Sequence, residues 1–530
     1  MRGGVLIAAS FIVLAACQPA AKVAIAAKPD DFSKLVAEPR TIAQLSADIA
    51  AKKTTVEAVT KSYLDRIAAV DDGGPTLNAV LAVNPNALSN AQALDGLIAG
   101  GVNRGRLHGI PILVKDNIET IDPMPTTAGS LALQDNITSR DSPLVARLRT
   151  AGVVILGKTN LSEWANFRSN SSTSGWSAVG GLTKNPHVLN RSACGSSSGS
   201  GAAVAAGLAP AAIGTETDGS IGCPSAANGV VGIKPTVGLI PRTYIVPISD
   251  SQDTAGPIAL TVADAATLLS VMAGSDPSDP ATKDADAHKS DYSKALDADA
   301  LKGKRIGVLR FLTGYHAPTD AAFEAALDQL KEAGAELVDI KDFPNRRAIG
   351  DAEEKVLLSE FRAGIDAYLA KAPDKVKTRT LADLIAFNTA TKAELEFFNQ
   401  DVFEAAMKAP ALTDKAYLDA KETARRLAGK EGIDKMLADN KVVALIAPTG
   451  GPAWTIDLIT GDHFLGSSSA LPAVAGYPYI TVPMGAVRDV PLGLSFIGPA
   501  WSEATLIGLA YAFEQKTQAR VTPEFRTTSP

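Results

Sequence analysis

Residues 191–235 read RSACGSSSGSGAAVAAGLAPAAIGTETDGSIGCPSAANGVVGIKP and carry the strongest structural signal in this 530-residue chain. The stretch contains two clusters of glycine and hydroxyl residues, Gly195–Gly199 and Thr215–Ser220, which small apolar residues separate. Glycine permits positive φ and a close approach of the backbone to a ligand, so the paired clusters indicate a site built largely from main chain. A flexible linker would stay polar throughout, whereas this stretch includes AVAA and VVGI. We therefore predict a site here and not a linker.

A second signal lies upstream, where the apolar run Pro111–Val114 ends in Lys115. Such a run is typical of a strand that is covered on both faces. Burial at the end of that strand would lower the pKa of the Lys115 ammonium group and leave a neutral amine able to act as a base. Taken alone, a strand-end lysine that reaches solvent is the commoner case. Lys115 therefore gains weight only beside the two serine clusters.

Strand and helix patterns alternate along most of the chain. The expected strands are 77–83, 107–115, 153–160, 211–213, 230–233, 305–309, 336–340, 442–447, 471–483 and 492–498. The expected helices are two within 41–70, one ending near 97, and 142–151, 202–206, 262–273, 320–333, 503–515 and most of 351–440. Strand–helix–strand alternation predicts an α/β protein, and without a clear internal break we expect one large α/β/α domain over residues 39–525.

The composition excludes several classes of function. With 46% hydrophobic and 20% charged residues the chain reads as a globular protein, and its formal net charge of −6 without a basic run argues against binding nucleic acid. The histidines are scattered and show no spacing typical of metal ligands: they are His108, His187, His288, His316 and His463. We expect no metal and no cofactor.

The N-terminal sequence MRGGVLIAASFIVLAACQPA has the pattern of an export signal. Arg2 precedes an apolar run, Val5–Ala16, that is too short to span a bilayer. Its end, Leu-Ala-Ala-Cys17, resembles the lipobox of bacterial lipoproteins, which implies a signal peptide over 1–16, a lipid anchor on Cys17 and a tether over 17–38. Gln18 implies the outer membrane, facing the periplasm. An ordinary cleaved signal with a chance cysteine is the alternative.

Two further cysteines, Cys194 and Cys223, flank the serine clusters. An exported protein could join them, but two cysteines in a chain of this length make no disulfide framework. We expect them to act as small packing residues.

One motif in the first cluster matches the nucleophile motif of a known class of hydrolases. Gly195–Gly199 matches G-x-S-x-G, the nucleophile elbow of α/β-hydrolases, with Ser197 as nucleophile. That motif follows a strand directly, whereas residues 185–193 are poor strand material, and His463 is the only late histidine of note for a triad. Gly199–Val204 lacks the third glycine of the dinucleotide fingerprint, and Gly232–Pro235 lacks the spacing of a phosphate loop. We interpret the elbow match as a chance occurrence in Ser/Gly-rich sequence.

Four motifs occur in the order typical of one family: GIPILVKDN at 109–117, CGSSSGS at 194–200, GTETDGSI at 214–221 and GVVGIKPT at 229–236. They resemble the amidase signature family over 41–273 and 442–515, and leave residues 275–440 mostly unmatched, as a helical insertion or cap. Within that family, NLSEWANFRS at 160–169 is similar to bacterial peptide amidases. The resemblance implies a mixed, mostly parallel central sheet with helices on both faces.

The resemblance also assigns roles to individual residues. Ser220 would be the nucleophile, Ser196 a bridging serine after a cis peptide bond, and Lys115 the terminal base. Backbone N–H groups of Ser220 and of the three residues before it would face the oxyanion: these are Thr217, Asp218 and Gly219. Ser197 would be a supporting hydrogen-bonding residue.

The implied activity is hydrolysis of carboxamides with release of ammonia or an amine, with C-terminal peptide amides as the expected substrates. Aryl, fatty and amino-acid amides fit the same chemistry. The alternative is a non-hydrolytic periplasmic binding protein or an amidotransferase-type subunit on the same fold. Asp218 departs from the glycine of most members, and its carboxylate could point towards the oxyanion donors or outward as a turn cap. Trp164, Phe167 and Trp176 could line the pocket or simply pack.

Overall fold

An 11-stranded mixed sheet forms the centre of the fold. The structure is a computed structural model that describes residues 1 and 31–529. Phe32–Pro530 forms one compact unit. The predicted signal peptide beyond Met1, Cys17 and the tether up to residue 30 lie outside the described residues. Within residues 31–529, no helix has the length and apolar character needed to cross a membrane.

The described chain contains thirteen strands. They are β1 (Val80–Val83), β2 (Pro111–Lys115), β3 (Val154–Thr159), β4 (Trp176–Ser177), β5 (Gly181–Leu182), β6 (Ala211–Glu216), β7 (Val231–Lys234), β8 (Thr254–Ala259), β9 (Arg305–Leu309), β10 (Glu336–Ile340), β11 (Ala444–Pro448), β12 (Tyr479–Val487) and β13 (Val490–Ile497). The short strands β4 and β5 form a separate ribbon.

The α-helices lie between these strands and are concentrated between β10 and β11. They are α1 (Ile42–Ala50), α2 (Val56–Ile67), α3 (Ala87–Ala99), α4 (Pro143–Thr150), α5 (Ser198–Ala205), α6 (Gly222–Ala227), α7 (Val262–Met272), α8 (Ala285–His288), α9 (Ala317–Glu332), α10 (Arg346–Leu369), α11 (Leu381–Ala390), α12 (Asp401–Ala406), α13 (Lys415–Ala428), α14 (Asp434–Asn440), α15 (Ala470–Ala475) and α16 (Glu503–Thr517).

The strand order across the sheet is β1-β3-β2-β6-β8-β7-β12-β13-β11-β9-β10. β2 pairs in parallel with β3 and β6, and β9 with β10 and β11, whereas the other six neighbouring pairs are antiparallel. The α/β/α class and the mixed sheet are confirmed, but parallel pairs are fewer than predicted. The turn Arg488–Asp489 shows why: both residues have positive φ, as in the two-residue turns that join antiparallel strands.

Both faces of the sheet are covered, as alternate residues of β11 demonstrate. Ile446 lies in the same apolar cluster as Leu506 of α16, whereas its neighbour Leu445 shares a different cluster with Ala424 of α13. Successive side chains of a strand point to opposite faces, so the two clusters lie on opposite sides of the sheet.

Threonine caps made two helix starts predictable, whereas the apolar run that begins at residue 471 led to a wrong strand prediction. Thr41 forms a capping box with Gln44, and the side chain of Thr55 caps α2. The helical character of residues 351–440 is confirmed by α10 to α14. The strand expected to begin at residue 471 is wrong at its start, because Ala470–Ala475 is helix α15. A short apolar run bounded by glycine and proline does not distinguish helix from strand.

Candidate active site

Lys115 ends β2 with its side chain fully buried. Its Nζ lies 2.8 Å from Ser196 Oγ and 2.8 Å from Thr215 Oγ1, with the carbonyl oxygen of Thr215 at 3.3 Å. The burial predicted from the apolar run is therefore confirmed. β6, which carries Thr215, is a parallel neighbour of β2, so both strands end at the same edge of the sheet.

Burial also changes the acidity of this lysine. Loss of solvent lowers the pKa of Lys115 to about 7, although the negative charges of Asp253 and Glu216 oppose the effect. A neutral amine can donate to both oxygens of Thr215 and accept a hydrogen bond from the Ser196 hydroxyl. The geometry and the pKa thus both suit a base that takes a proton from Ser196.

Thr215 and Asn117 position Lys115, and the sequence did not identify either role. Asn117 Nδ2 donates to Thr215 Oγ1 at 2.9 Å, and this threonine oxygen also accepts from Lys115. Both residues stand inside the quoted motifs, two residues after Lys115 and five before Ser220. Their closeness in sequence to Lys115 and Ser220 was the only indication of a role. The hydrogen bond between Asn117 and Thr215 depends on the pairing of β2 with β6.

The first serine cluster lies against the second, as predicted. The peptide bond between Gly195 and Ser196 is cis, as the family resemblance implied. Ser197 N–H donates to the carbonyl of Ser220 at 3.3 Å, which brings the two clusters together. A Cβ on Gly195 would lie 2.1 Å from Ser162 Oγ, so a larger residue there would displace the loop that holds Ser196.

Ser197 itself is buried and bonded to the main chain of β6. Its hydroxyl donates to the Thr215 carbonyl at 3.1 Å and accepts from the Thr215 N–H at 3.2 Å. His463 is exposed, and among the described residues no histidine hydrogen-bonds to Ser197. Ser197 therefore lacks the histidine partner and the preceding strand of a nucleophile elbow. Its contacts are those of a residue that ties the serine loop to β6.

Ser220 is 8% exposed and lies at the end of a tight turn. Among the described residues, the backbone N–H groups of Asp218, Gly219 and Ser220 have no hydrogen-bond acceptor. Gly219 has a φ of +81°, a conformation that L-residues rarely adopt, and Ser469 lies close to it. The turn thus presents free N–H donors beside a hydroxyl, which is the arrangement that an oxyanion requires.

Glu216 fixes the direction of this turn from the other side. Its Oε2 accepts hydrogen bonds from the N–H groups of Ile221 at 2.7 Å and Gly222 at 3.1 Å, and from the hydroxyl of Tyr479 at 2.9 Å. Because Glu216 occupies the donors that follow Ser220, the earlier N–H groups are left for a ligand. Tyr479, from β12, is another contributor that the sequence did not identify.

The structure settles the direction of the Asp218 side chain. Its Oδ1 accepts a hydrogen bond from Ser469 Oγ at the start of α15, so the carboxylate does not cap its own turn. It also lines a cavity with Glu353 of α10. Burial raises the pKa of the Asp218 carboxyl above its ordinary value.

Cys194 and Cys223 form a disulfide, with their Cα atoms 5.9 Å apart. The prediction that they are merely small packing residues is wrong. The bond joins the residue before the Gly195–Ser196 peptide to helix α6, which begins just after Ser220. Both cysteines flank the serine clusters in the sequence, and the contact between the two clusters is what brings their sulfur atoms together.

Of the three aromatic residues considered as pocket residues, one lines a cavity and two pack against other rings. Phe167 lines the cavity beside Asp218. Trp164 packs edge-on against Phe403, with ring centroids 5.8 Å apart, and Trp176 packs against Phe398 at 5.1 Å. The latter two are therefore packing residues.

A buried ion cluster, which the sequence did not predict, surrounds Arg168, the residue after Phe167. Arg168 Nη1 is 2.8 Å from Glu163 and 3.4 Å from Glu394, and all three side chains are fully buried. Within the described part of the chain, no group of three or more His, Cys, Asp or Glu side chains is arranged to hold a metal ion. The acidic residues of this cluster therefore serve the arginine.

Comparison with known proteins gives consistent results. The Amidase family model matches residues 58–507, which includes the helical region that the motifs left unmatched. A probable amidase of Arabidopsis thaliana is 40% identical over 503 residues, covering 92% of this chain and 91% of that protein. The crystal structure of peptide amidase from Stenotrophomonas maltophilia is 52% identical, with a TM-score of 0.86, covering 92% and 98% of the two chains. A peptide amidase in complex with the competitive inhibitor chymostatin is also 52% identical, with a TM-score of 0.87 and coverage of 91% and 98%.

Proposed function

Given that this chain belongs to the amidase family and is an amide hydrolase, we propose that Ser220, Ser196 and Lys115 form its catalytic triad and that C-terminal amides of peptides are its substrates. Support for the triad comes foremost from the 2.8 Å contact between Lys115 Nζ and Ser196 Oγ, at a lysine whose pKa burial lowers to about 7. Serine needs a base of this kind to become a nucleophile near neutral pH.

The proposed reaction passes through an acyl-enzyme. Ser220 Oγ attacks the carboxamide carbon while its proton moves to Ser196, whose own proton moves to Lys115. The N–H groups of the 217–220 turn stabilise the oxyanion. Collapse breaks the C–N bond, and the leaving ammonia takes its proton back from Lys115 through Ser196. Water then attacks the ester by the same relay, which releases the carboxylic acid and restores Ser220.

Peptide amides are favoured as substrates by the similarity to peptide amidase and by the size of the site. A cavity of about 390 Å³ is lined by Asn117, Thr215 and Thr217 and extends to Ser249 and Tyr417. This volume lies in the usual range for sites that bind small organic ligands. Ammonia needs almost no room, so this cavity, which reaches the two residues that position Lys115, is available to the acyl part of the substrate.

The triad is tested by Ser220→Ala with a peptide carboxamide as substrate. We expect ammonia release to fall by at least about 10⁴-fold, because the acyl-enzyme no longer forms. Ser225→Ala is a matched control on α6, since the Ser225 hydroxyl has no hydrogen-bond partner among the described residues. A fluorophosphonate probe should label Ser220 in the wild-type protein. Labelling of no serine would favour the alternative of a binding protein.

We also propose that the protein is exported and anchored by a lipid on Cys17. The pattern of residues 2–17 supports this proposal, and a disulfide is typical of proteins in oxidising compartments. In a bacterial host, wild-type protein should incorporate labelled palmitate and fractionate with membranes, whereas Cys17→Ser should do neither. Gln18→Asp, as a control, should keep the lipid and move to the inner membrane. Labelling of Cys17→Ser would refute the anchor.

A further inference from the structure

A cavity of about 240 Å³ lies beside the turn that ends in Ser220, and its charged lining residues are all acidic. Its walls are formed by α10, α12 and the loop before the serine clusters, with Phe167, Asp218, Glu353, Glu354, Leu357 and Val402 among the lining residues. No lysine or arginine lines it among the described residues. Since Asp218 lies two residues before Ser220, the cavity begins within about 7 Å of the nucleophile along the chain.

Two of the carboxylates come from different elements and each keeps one oxygen free. Asp218 accepts from Ser469 through Oδ1, and Glu353 accepts from Gln252 Nε2 through Oε1 at 2.8 Å. Among the described residues, neither second oxygen has a hydrogen-bond partner and neither residue joins an ion pair. Glu353 is nevertheless only 8% exposed. Neither second oxygen is among the fully enclosed polar atoms of the described chain that lack a partner, so both are open to a ligand that enters the cavity.

The electrostatics of the cavity point to a ligand of positive charge. Burial raises the pKa of both carboxyls, and the charge of Asp218 raises the pKa of Glu353 further. Lys234, whose charge acts on Asp218, bonds through Nζ to the carbonyls of Tyr477 and Pro235 and forms no described ion pair. Two close carboxyls with no cation in direct contact cannot both ionise easily, whereas a cation between them would allow it.

We propose that this cavity is a subsite for a cationic group on the acyl side of the substrate, an ammonium or guanidinium carried by a peptide amide. The inference rests on the proposed function. If ammonia is the leaving group, it needs no subsite of its own, and the cavity is available to the acyl side of the substrate. Phe167, Leu357 and Val402 provide an apolar wall for the methylene stem of a lysine or arginine side chain, while the two carboxylates meet its charged end. Exposed Glu354 lies at the edge of the same cavity.

The subsite is tested by binding alone, in Ser220→Ala, where no turnover complicates the measurement. The ligands are two peptide amides that differ only in the last residue, lysine amide and norleucine amide. By titration calorimetry we expect the lysine amide to bind about tenfold tighter or more, since hydrogen bonds to charged groups are among the stronger polar contacts. Equal affinity, or tighter binding of the norleucine amide, would overturn the proposal.

A pair of α10 variants in the same background locates the effect. Glu353→Gln removes the carboxyl that would ionise beside a bound cation and should reduce the preference for lysine amide by about tenfold. Asp351→Asn removes a charge from an exposed position on the same helix and should leave the preference unchanged. If Glu353→Gln keeps both a native unfolding curve and the full preference, the subsite is elsewhere. If it does not fold, the comparison of the two ligands still decides.

Failure of the subsite and failure of the proposed function give different results. Wild-type protein that does not hydrolyse norleucine amide peptides contradicts the proposed function, whatever Ser220→Ala binds. Wild-type protein that hydrolyses both peptides, combined with equal binding in Ser220→Ala, contradicts the subsite alone.

Discussion

Lys115 owes its chemistry to the point at which β2 ends. The strand carries the lysine into a fully buried position, and the neighbouring strand supplies the two oxygens of Thr215 that hold its amine. Burial lowers its pKa, so the residue can be neutral near pH 7 without a carboxylate partner. A residue that would normally be a solvated cation becomes the base of the proposed triad.

The pH profile of hydrolysis should follow this lysine. The base works only when neutral, so kcat/KM should fall tenfold per unit as pH drops below about 7, and level off above it. Initial rates with an uncharged peptide amide between pH 5 and 9 measure this profile. Lys115→Met should lose most of the activity and the pH limb with it. A rate that stays constant from pH 5 to 8 in the wild-type protein would contradict the assignment of the base.

Sequence reasoning worked best for residues inside contiguous motifs. Lys115, Ser196 and Ser220 could be proposed as site residues because each stands in a motif that resembles the amidase signature family. Tyr479 and Ser469 were not, because they reach Glu216 and Asp218 from more than 250 residues away. Polar side chains on β12 and at the start of α15 carry no local pattern that reveals such a partner.

The serine loop and helix α6 behave as one unit because a disulfide joins them. Cys194 precedes the peptide that carries Ser196, and Cys223 follows Ser220 by three residues. The bond thus crosses the contact between the two clusters, next to the hydrogen bond from Ser197 N–H to the Ser220 carbonyl. The disulfide therefore stabilises the contact that holds the hydroxyl groups of Ser196 and Ser220 near each other.

Replacing both cysteines should weaken this unit. The bridge closes a loop with a sequence separation of 29, and loss of such a bridge costs about 2–4 kcal/mol of the free energy of unfolding. Cys194→Ser/Cys223→Ser should therefore unfold at lower denaturant concentration and lose activity. Wild-type protein treated with reductant should behave like the variant. A variant with unchanged stability and activity would show that hydrogen bonds alone hold the two clusters together.

At the scale of the whole molecule, the helical region from α10 to α14 is fastened over the site by buried polar contacts. Glu394, between α11 and α12, accepts hydrogen bonds from Ser130 Oγ at 2.9 Å and Leu131 N–H at 2.7 Å. Its backbone carbonyl and carboxylate also meet Arg168. The α/β/α architecture was predictable from alternating strands and helices. The attachment was not, because it depends on an ion pair and hydrogen bonds between segments over 220 residues apart.

Arg168→Met tests the attachment. It leaves Glu163 and Glu394 buried without their cation, which should cost about 3–5 kcal/mol of the free energy of unfolding. Thermal unfolding and limited proteolysis between α10 and α14 measure the effect. Arg347→Met on α10, whose side chain is 94% exposed, is the control and should shift stability by less than about 0.5 kcal/mol. Equal melting temperatures for both variants would contradict a structural role for the buried cluster.

The contact between Tyr479 and Glu216 has a consequence for how the protein is made. Glu216 orients the turn that ends in Ser220, yet its tyrosine partner lies 263 residues further along the chain. A ribosome has therefore to complete nearly the whole chain before the nucleophile turn acquires all of its supports. Incomplete translation products, and chains trimmed upstream of β12 by a protease, carry every residue of the proposed triad but not the tyrosine that supports it.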